Sequence, residues 1–235
     1  MNYAIGIVAH NDRFDMAYRL SRQTDAQIVC FDSGELGAFG NHLQVWKALS
    51  ETCTGADWLI VLEDDAQPVD TFHAQLRLAL DAAPTPVVSL YLGRSRPADV
   101  QRPLRELIHA GLDSPWILAP RMLHAVAIAI RADLVPHMTD TLMQAPYVFA
   151  PIDQAIGMWT RAHTAQQQVS YAWPSLVDHA DTGSVILQHE DGQPRGPIIP
   201  TDTGIPVLER RVAWKVGTRA DWSGPAAWLE VSSVG

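Results

Sequence analysis

Trp58-Leu59-Ile60-Val61-Leu62-Glu63-Asp64-Asp65 runs five large apolar residues straight into three consecutive carboxylates. An unbroken apolar run of this length, preceded by Gly55, predicts a strand buried on both faces of a mainly parallel sheet. No Lys or Arg lies nearby in sequence to neutralise its carboxyl end. Like charges that close repel, and burying them unpaired is costly. They are tolerable in a solvated crevice where they share a cation, and the carboxyl edge of a parallel strand is where open α/β sheets place ligands. Hard oxygen ligands without Cys suit Mg²⁺ or Mn²⁺, ions that complete their shell with substrate phosphates. The same three residues also suit an acidic turn capping the next helix, with Pro68 at its start.

Outward from this stretch, strands and helices alternate. Residues 3–9 and 26–31 read as strands around a helix over 14–22, a unit that implies parallel neighbours and a right-handed crossover. A Gly-punctuated segment, 34–40, precedes a helix expected to be capped by Asn41, with Leu43, Val45, Trp46 and Leu49 on its apolar face. After the Trp58 strand come a helix over 69–82 and a strand over 87–92. Residues 94–105, basic and Pro-containing, read as an exposed loop. Strands follow at 116–119 and 124–130, helices at 132–143 and 152–162, and a short strand at 169–172. Alternation with polar residues at strand ends predicts an α/β fold rather than an antiparallel sandwich. Residues 1–190 are expected to form the catalytic domain, with 191–235, first Gly/Pro-rich and then bearing Arg, Lys and Trp, packing on it.

The totals narrow the classes. A chain of 235 residues, 47% of them apolar, can bury a substantial core. A net charge of −9 argues against an extended surface for polyanions, though not against a local basic patch. Two Cys indicate no disulfide framework. Residues 1–4 lack a basic leader segment and no apolar run reaches membrane-spanning length, so a cytoplasmic protein is expected. The eight Trp suit sugar or base pockets as well as core.

Several pieces in order resemble the family 25, lipopolysaccharide-type, glycosyltransferases of the GT-A fold. These are Gly34-Glu35-Leu36-Gly37-Ala38-Phe39-Gly40-Asn41-His42 followed by Val45-Trp46, then Leu62-Glu63-Asp64-Asp65 with Phe72, Tyr91-Leu92-Gly93, Asp153 opening a helix, and Pro174-Ser175-Leu176-Val177. The likeness covers roughly residues 1–180. The family's Gly-Cys-x-x-Ser-His segment is reduced here to Gly40-Asn41-His42. Compact phage-encoded glycosyltransferases are similar in brevity and composition. The resemblance implies a GT-A-like sheet flanked by helices. It also implies transfer of a sugar from a nucleotide-diphosphate donor, UDP-sugar favoured, to a saccharide, a protein or a modified phage DNA base.

Under that resemblance Glu63, Asp64 and Asp65 form the DxD-like motif. Asp65 is the direct metal ligand, Glu63 acts through water or the ribose, and His179 contributes from the far side. Each has a plainer alternative, and His179 is equally a surface residue after a strand. In the turn after the first strand, Arg13 is expected at the diphosphate and His10 or Asn11 at the ribose, where Asn11 or Asp12 also suits a helix cap. Asp32 either accepts from the base's imide N–H or closes an Asx-turn. His42 points at the donor or simply starts a helix. Asp153 is the candidate general base of an inverting transfer, or a first-turn Asp satisfying the helix dipole. The alternative enzyme class is a metal-dependent nucleotidyltransferase, but the turn at residues 10–13 lacks the Gly-rich phosphate loop such enzymes carry. A mobile lid over 192–206 is also expected.

Overall fold

Strand β3 (Trp58–Glu63) sits inside an eight-stranded sheet, and its side chains divide as the pleat requires. Leu59 and Val61 face one hydrophobic cluster; Trp58, Ile60 and Leu62 face a second on the other side. All five are at most 3% exposed, and burial of each aliphatic side chain contributes about 1.5–3 kcal/mol. This computed structural model describes residues 1–93, 98–180 and 215–229.

The sheet order is β10 (Ala226–Trp228), β6 (Trp116–Ala119), β8 (Val169–Ala172), β5 (Val87–Ser89), β7 (Ala127–Arg131), β3, β1 (Tyr3–His10) and β2 (Ile28–Asp32). Four of its seven pairings are parallel, and β7 runs against both β3 and β5. Strands β1, β2, β3, β5 and β8 therefore point the same way, and their carboxyl ends share one edge. Helices α1 (Phe14–Thr24) and α3 (Phe72–Asp81) cover one face through Ala17, Leu20, Phe72, Leu76 and Leu80. Helices α2 (Gly37–Thr52), α4 (Ala98–His109), α5 (Val135–Leu142) and α6 (Ile152–His163) cover the other. This is the α/β architecture expected. Gly6 of β1 is required by that packing, because a Cβ there would lie 2.5 Å from Val45 of α2.

A second, two-stranded sheet stands at the carboxyl edge. It pairs β4 (Ala66–Pro68) antiparallel to β9 (Val177–His179), with Ala66 opposite His179. Pro68 therefore closes a strand rather than starting a helix, and α3 begins at Phe72.

Three further expectations change. Asn41 does not cap α2: the helix starts at Gly37, and Asn41 lies buried inside it. Its amide donates to the carbonyl oxygens of Ala9 at 3.0 Å and Cys30 at 3.4 Å, tying together the ends of β1 and β2. Residues 98–109 are helical rather than a loop, because Val100 and Leu104, one turn apart, reach the core while Arg102 and Arg105 face outward. The tail does more than wrap the sheet: β10 adds an edge strand, and Leu229 N–H donates to Leu118 O. Six of the seven described Trp are buried, with Trp228 exposed, so their main work is core packing. The expected lid at 192–206 lies outside the described residues. No described helix is long and apolar enough to cross a membrane.

Candidate active site

The chain turns sharply where β1 ends. A 3-10 turn over Asn11–Arg13 is capped by His10, whose Nδ1 accepts from Asp12 N–H at 3.1 Å. That turn aims Arg13 across the edge toward the end of β3. Its NH1 donates to Asp64 Oδ1 at 2.9 Å and to Asp65 Oδ2 at 2.6 Å. Asp64 Oδ2 also accepts from His10 N–H at 2.9 Å. Burial pushes the Asp64 carboxyl above its ordinary value, with the charge of Asp65 adding to the rise, and the His10 amide and Arg13 only partly oppose it.

The pairing of β4 with β9 carries His179 to the same place. Ala180 N–H donates to Asp65 O at 2.8 Å, and His179 Nε2 stands 3.2 Å from Asp65 Oδ2. Burial would raise the Asp65 carboxyl, but His179 and Arg13 outweigh it and hold the group below its usual range. Both act on Oδ2. Oδ1 of Asp65 is buried and has no hydrogen-bond partner among the described residues. Asp178 turns its carboxylate back onto His179 N–H at 2.8 Å.

Glu63 points elsewhere. Its Oε1 lies 3.3 Å from Nε2 of the fully buried His42, on the α2 side of the sheet. Asp153, in the first turn of α6, senses this pair. Burial pushes its carboxyl up to about 6, the charge of Glu63 adds to the rise, and Gln154 N–H and His42 partly oppose it. The three consecutive acids are thus divided: Asp64 and Asp65 belong to Arg13 and His179, while Glu63 belongs with His42 and Asp153.

Asp32 ends β2 and holds the start of α2. Its Oδ2 accepts from Gly34 N–H at 3.0 Å and Gly37 N–H at 3.1 Å, and Oδ1 from Leu36 N–H at 3.1 Å. Burial raises this carboxyl, yet the amides together bring it below its ordinary value. Gly34 and Gly37 have φ of +97° and +65°, which L side chains rarely adopt. Asn11 Nδ2 donates to Ser33 Oγ, locking the two loops side by side.

Sequence reasoning missed three contributors. Asn41 looked like a cap because its type favours caps; nothing local announces an amide that bridges two strand ends. Tyr91 was noted only within a motif, and its ring lies 6.1 Å from that of His179 and 5.2 Å from that of His124. His124 was passed over because it precedes an apolar run.

Whether the residues suit a divalent cation can be judged from the donors. Among the described residues no group of three or more His, Cys, Asp and Glu forms a metal cage. What exists is one carboxylate with an orphaned buried oxygen and one imidazole beside it. That set is too small for a closed structural site, but it suits an ion that takes one or two carboxylates and completes its shell with phosphate and water.

No family model matches this chain, and no curated protein matches it either. The family 25 resemblance is thus supported by no family model and no curated protein. Solved structures with some similarity include the crystal structure of A197 from STIV, at 10% identity and a TM-score of 0.45, covering 77% of this chain and 87% of that one. Another is a glycosyltransferase involved in glycosylation of the major capsid of PBCV-1, at 8% identity and a TM-score of 0.39, covering 68% of this chain and 75% of that one. Likeness at this level says nothing of activity.

Proposed function

We propose that this chain is a glycosyltransferase, moving a sugar from a nucleoside-diphosphate donor to an acceptor hydroxyl with inversion. The observation that carries the reading is the division of charge along one sheet edge. Asp65, with a buried unpartnered oxygen, and the His179 imidazole beside it lie on one side of β3. A carboxyl raised to about 6, Asp153, lies on the other.

The chemistry needs both. Breaking the C1–O bond to the diphosphate leaves its electron pair on phosphate oxygen, and that charge must be met. A divalent cation, Mn²⁺ or Mg²⁺, held by Asp65 and His179 would supply Lewis-acid stabilisation there. Arg13, in the turn that follows β1, would add a guanidinium to the same oxygens. On the opposite side Asp153 takes the proton of the acceptor hydroxyl as the new C1–O bond forms. A base works best when its pKa approaches the operating pH, and burial has moved Asp153 in that direction. The Asn11–Ser33 contact and the loop held by Asp32 lie where the nucleoside would rest at the ends of β1 and β2. UDP-sugars are the favoured donors, and a saccharide, a protein or a modified nucleic acid the acceptor.

A screen of nucleotide sugars for slow hydrolysis, with Mn²⁺ and with EDTA, tests this. The expected result is release of a nucleoside diphosphate from one donor, dependent on the cation. Release of inorganic diphosphate from a nucleoside triphosphate, with no sugar donor turned over, would replace the reading by nucleotidyl transfer.

A further inference from the structure

Arg13 is held in an unusual way for a residue that serves a phosphate. Among the described residues, both of its ion pairs pass through one nitrogen, NH1, to two different carboxylates. The side chain is 12% exposed, and those of Asp64 and Asp65 are 6% and 7%. Two adjacent carboxylates this poorly solvated repel strongly, so a cation between them is needed for the fold to tolerate both. Among the described residues, Arg13 is the cation that reaches both carboxylates.

The arrangement leaves Asp65 lopsided. Arg13 and His179 both approach Oδ2, while buried Oδ1 finds no partner among the described residues. A divalent ion coming to Asp65 would meet the guanidinium already on the oxygen nearest His179. Two cations cannot share that oxygen at contact distance without strong repulsion. Arg13 sits at the joint between the 3-10 turn and α1, so its long side chain can swing by its own torsions while the backbone stays put.

We propose that Arg13 is a resident counter-cation: it keeps the Asp64–Asp65 pair neutralised until a divalent ion arrives, then leaves Asp65 for the incoming diphosphate. This rests on the reading given under Proposed function and adds a competition between the protein's own guanidinium and the metal. One consequence is ordered binding. The ion alone binds weakly because it must displace Arg13, and a nucleoside diphosphate helps because it gives the displaced guanidinium a partner.

The test compares the wild-type chain with Arg13→Gln, using Mn²⁺ alone, UDP alone and both, by calorimetry and thermal unfolding. Arg13→Gln is expected to unfold at lower temperature without metal, to bind Mn²⁺ alone about tenfold tighter than wild type, and to regain stability with Mn²⁺. In the same variant UDP should lose affinity in the presence of Mn²⁺. Unchanged or weaker Mn²⁺ binding by Arg13→Gln, with wild type still binding Mn²⁺ together with UDP, overturns the competition and leaves the metal reading standing. Absence of Mn²⁺ binding by both proteins, with or without UDP, removes the metal reading and the competition with it. Should the variant not fold, the wild-type protein gives the answer through the Nε–H resonance of Arg13. Its shift should move when Mg²⁺ and UDP are added together and stay put with UDP alone; no movement with both overturns the proposal.

Discussion

His179 Nε2 stands 3.2 Å from Asp65 Oδ2 although the two residues lie in different thirds of the chain. Their pairing makes the proposed cation side of the site one unit. Asp65→Asn and His179→Gln should each abolish Mn²⁺-dependent UDP binding, and the double variant should be no worse than either. Calorimetry on the four proteins measures this, and fully additive losses would show that the two act separately. Stability gives a second check. The Asp65 carboxyl is depressed in the folded protein, so its contribution is present above the unfolded value of about 4 and disappears as pH falls through the folded value. Asp65→Asn should therefore flatten the acid side of the wild-type stability curve.

Asp153 has the opposite sign. Its carboxyl is raised to about 6, so the folded state holds the proton more tightly than the unfolded chain. Stability is full below about pH 4 and is lost as pH rises through about 6, by at most about 3 kcal/mol. Asp153→Asn, which cannot ionise, should gain on wild type across that window while losing at least about a hundredfold in transfer rate. Wild-type kcat/KM should rise through about pH 6. A variant that transfers sugar at near-normal rate takes Asp153 out of the mechanism.

Asp32 accepts three backbone amides at the entrance of α2. Asp32→Ala should lower stability by about 1 kcal/mol, the usual size of a lost cap. If the loop only needs to be held, UDP affinity will fall modestly and equally for UDP and GDP. A fall confined to UDP would instead show that Asp32 reads the base.

Asn41→Ala removes the amide that joins Ala9 and Cys30. A cost of about 1–2 kcal/mol is expected from chemical denaturation, together with weaker UDP binding, because the end of β1 aims Arg13. Loss of stability with UDP binding intact would mean that the aim of Arg13 is set elsewhere.

The sheet was readable because β3, β1 and β2 are continuous apolar runs broken by polar turns; burial on both faces leaves β3 and β1 little choice, and β2 is a half-buried edge strand. The three-residue strands β4, β9 and β10 were not readable, although β5, of the same length, was. β4 and β9 are fixed by pairing with each other, and neither has a period of its own. The helix at 98–109 was hidden by Arg and Pro, although Val100 and Leu104 carried its apolar face. Of the candidate site, Asp65 and Asp153 could be singled out because acids at strand and helix ends stand out, and His179 only through the family resemblance. That Glu63 would turn toward His42, away from Asp65, depends on the pleat at the end of β3, and the side to which each acid turns is set by neighbours brought in from α2 and β9. The role of Arg13 as a bridge between two carboxylates is likewise a matter of tertiary approach.

The clip between β4 and β9 also works as a ruler. Side chains alternate along a strand, so sliding β9 by a single residue would put Asp178 where His179 stands, and an acid would confront Asp65 in place of an imidazole. Three paired residues are too few to forbid that slide alone. The flanking hydrogen bonds forbid it: Ala180 N–H on Asp65 O at one end and Val69 N–H on Leu176 O at the other fix the count of residues between them. An insertion or deletion of one residue between Leu176 and Ala180 should therefore replace the Asp65–His179 contact by a repelling pair of acids while leaving the main sheet untouched. Drift in chain length is tolerated in most surface connections of such a fold, and this short segment is one where it is not.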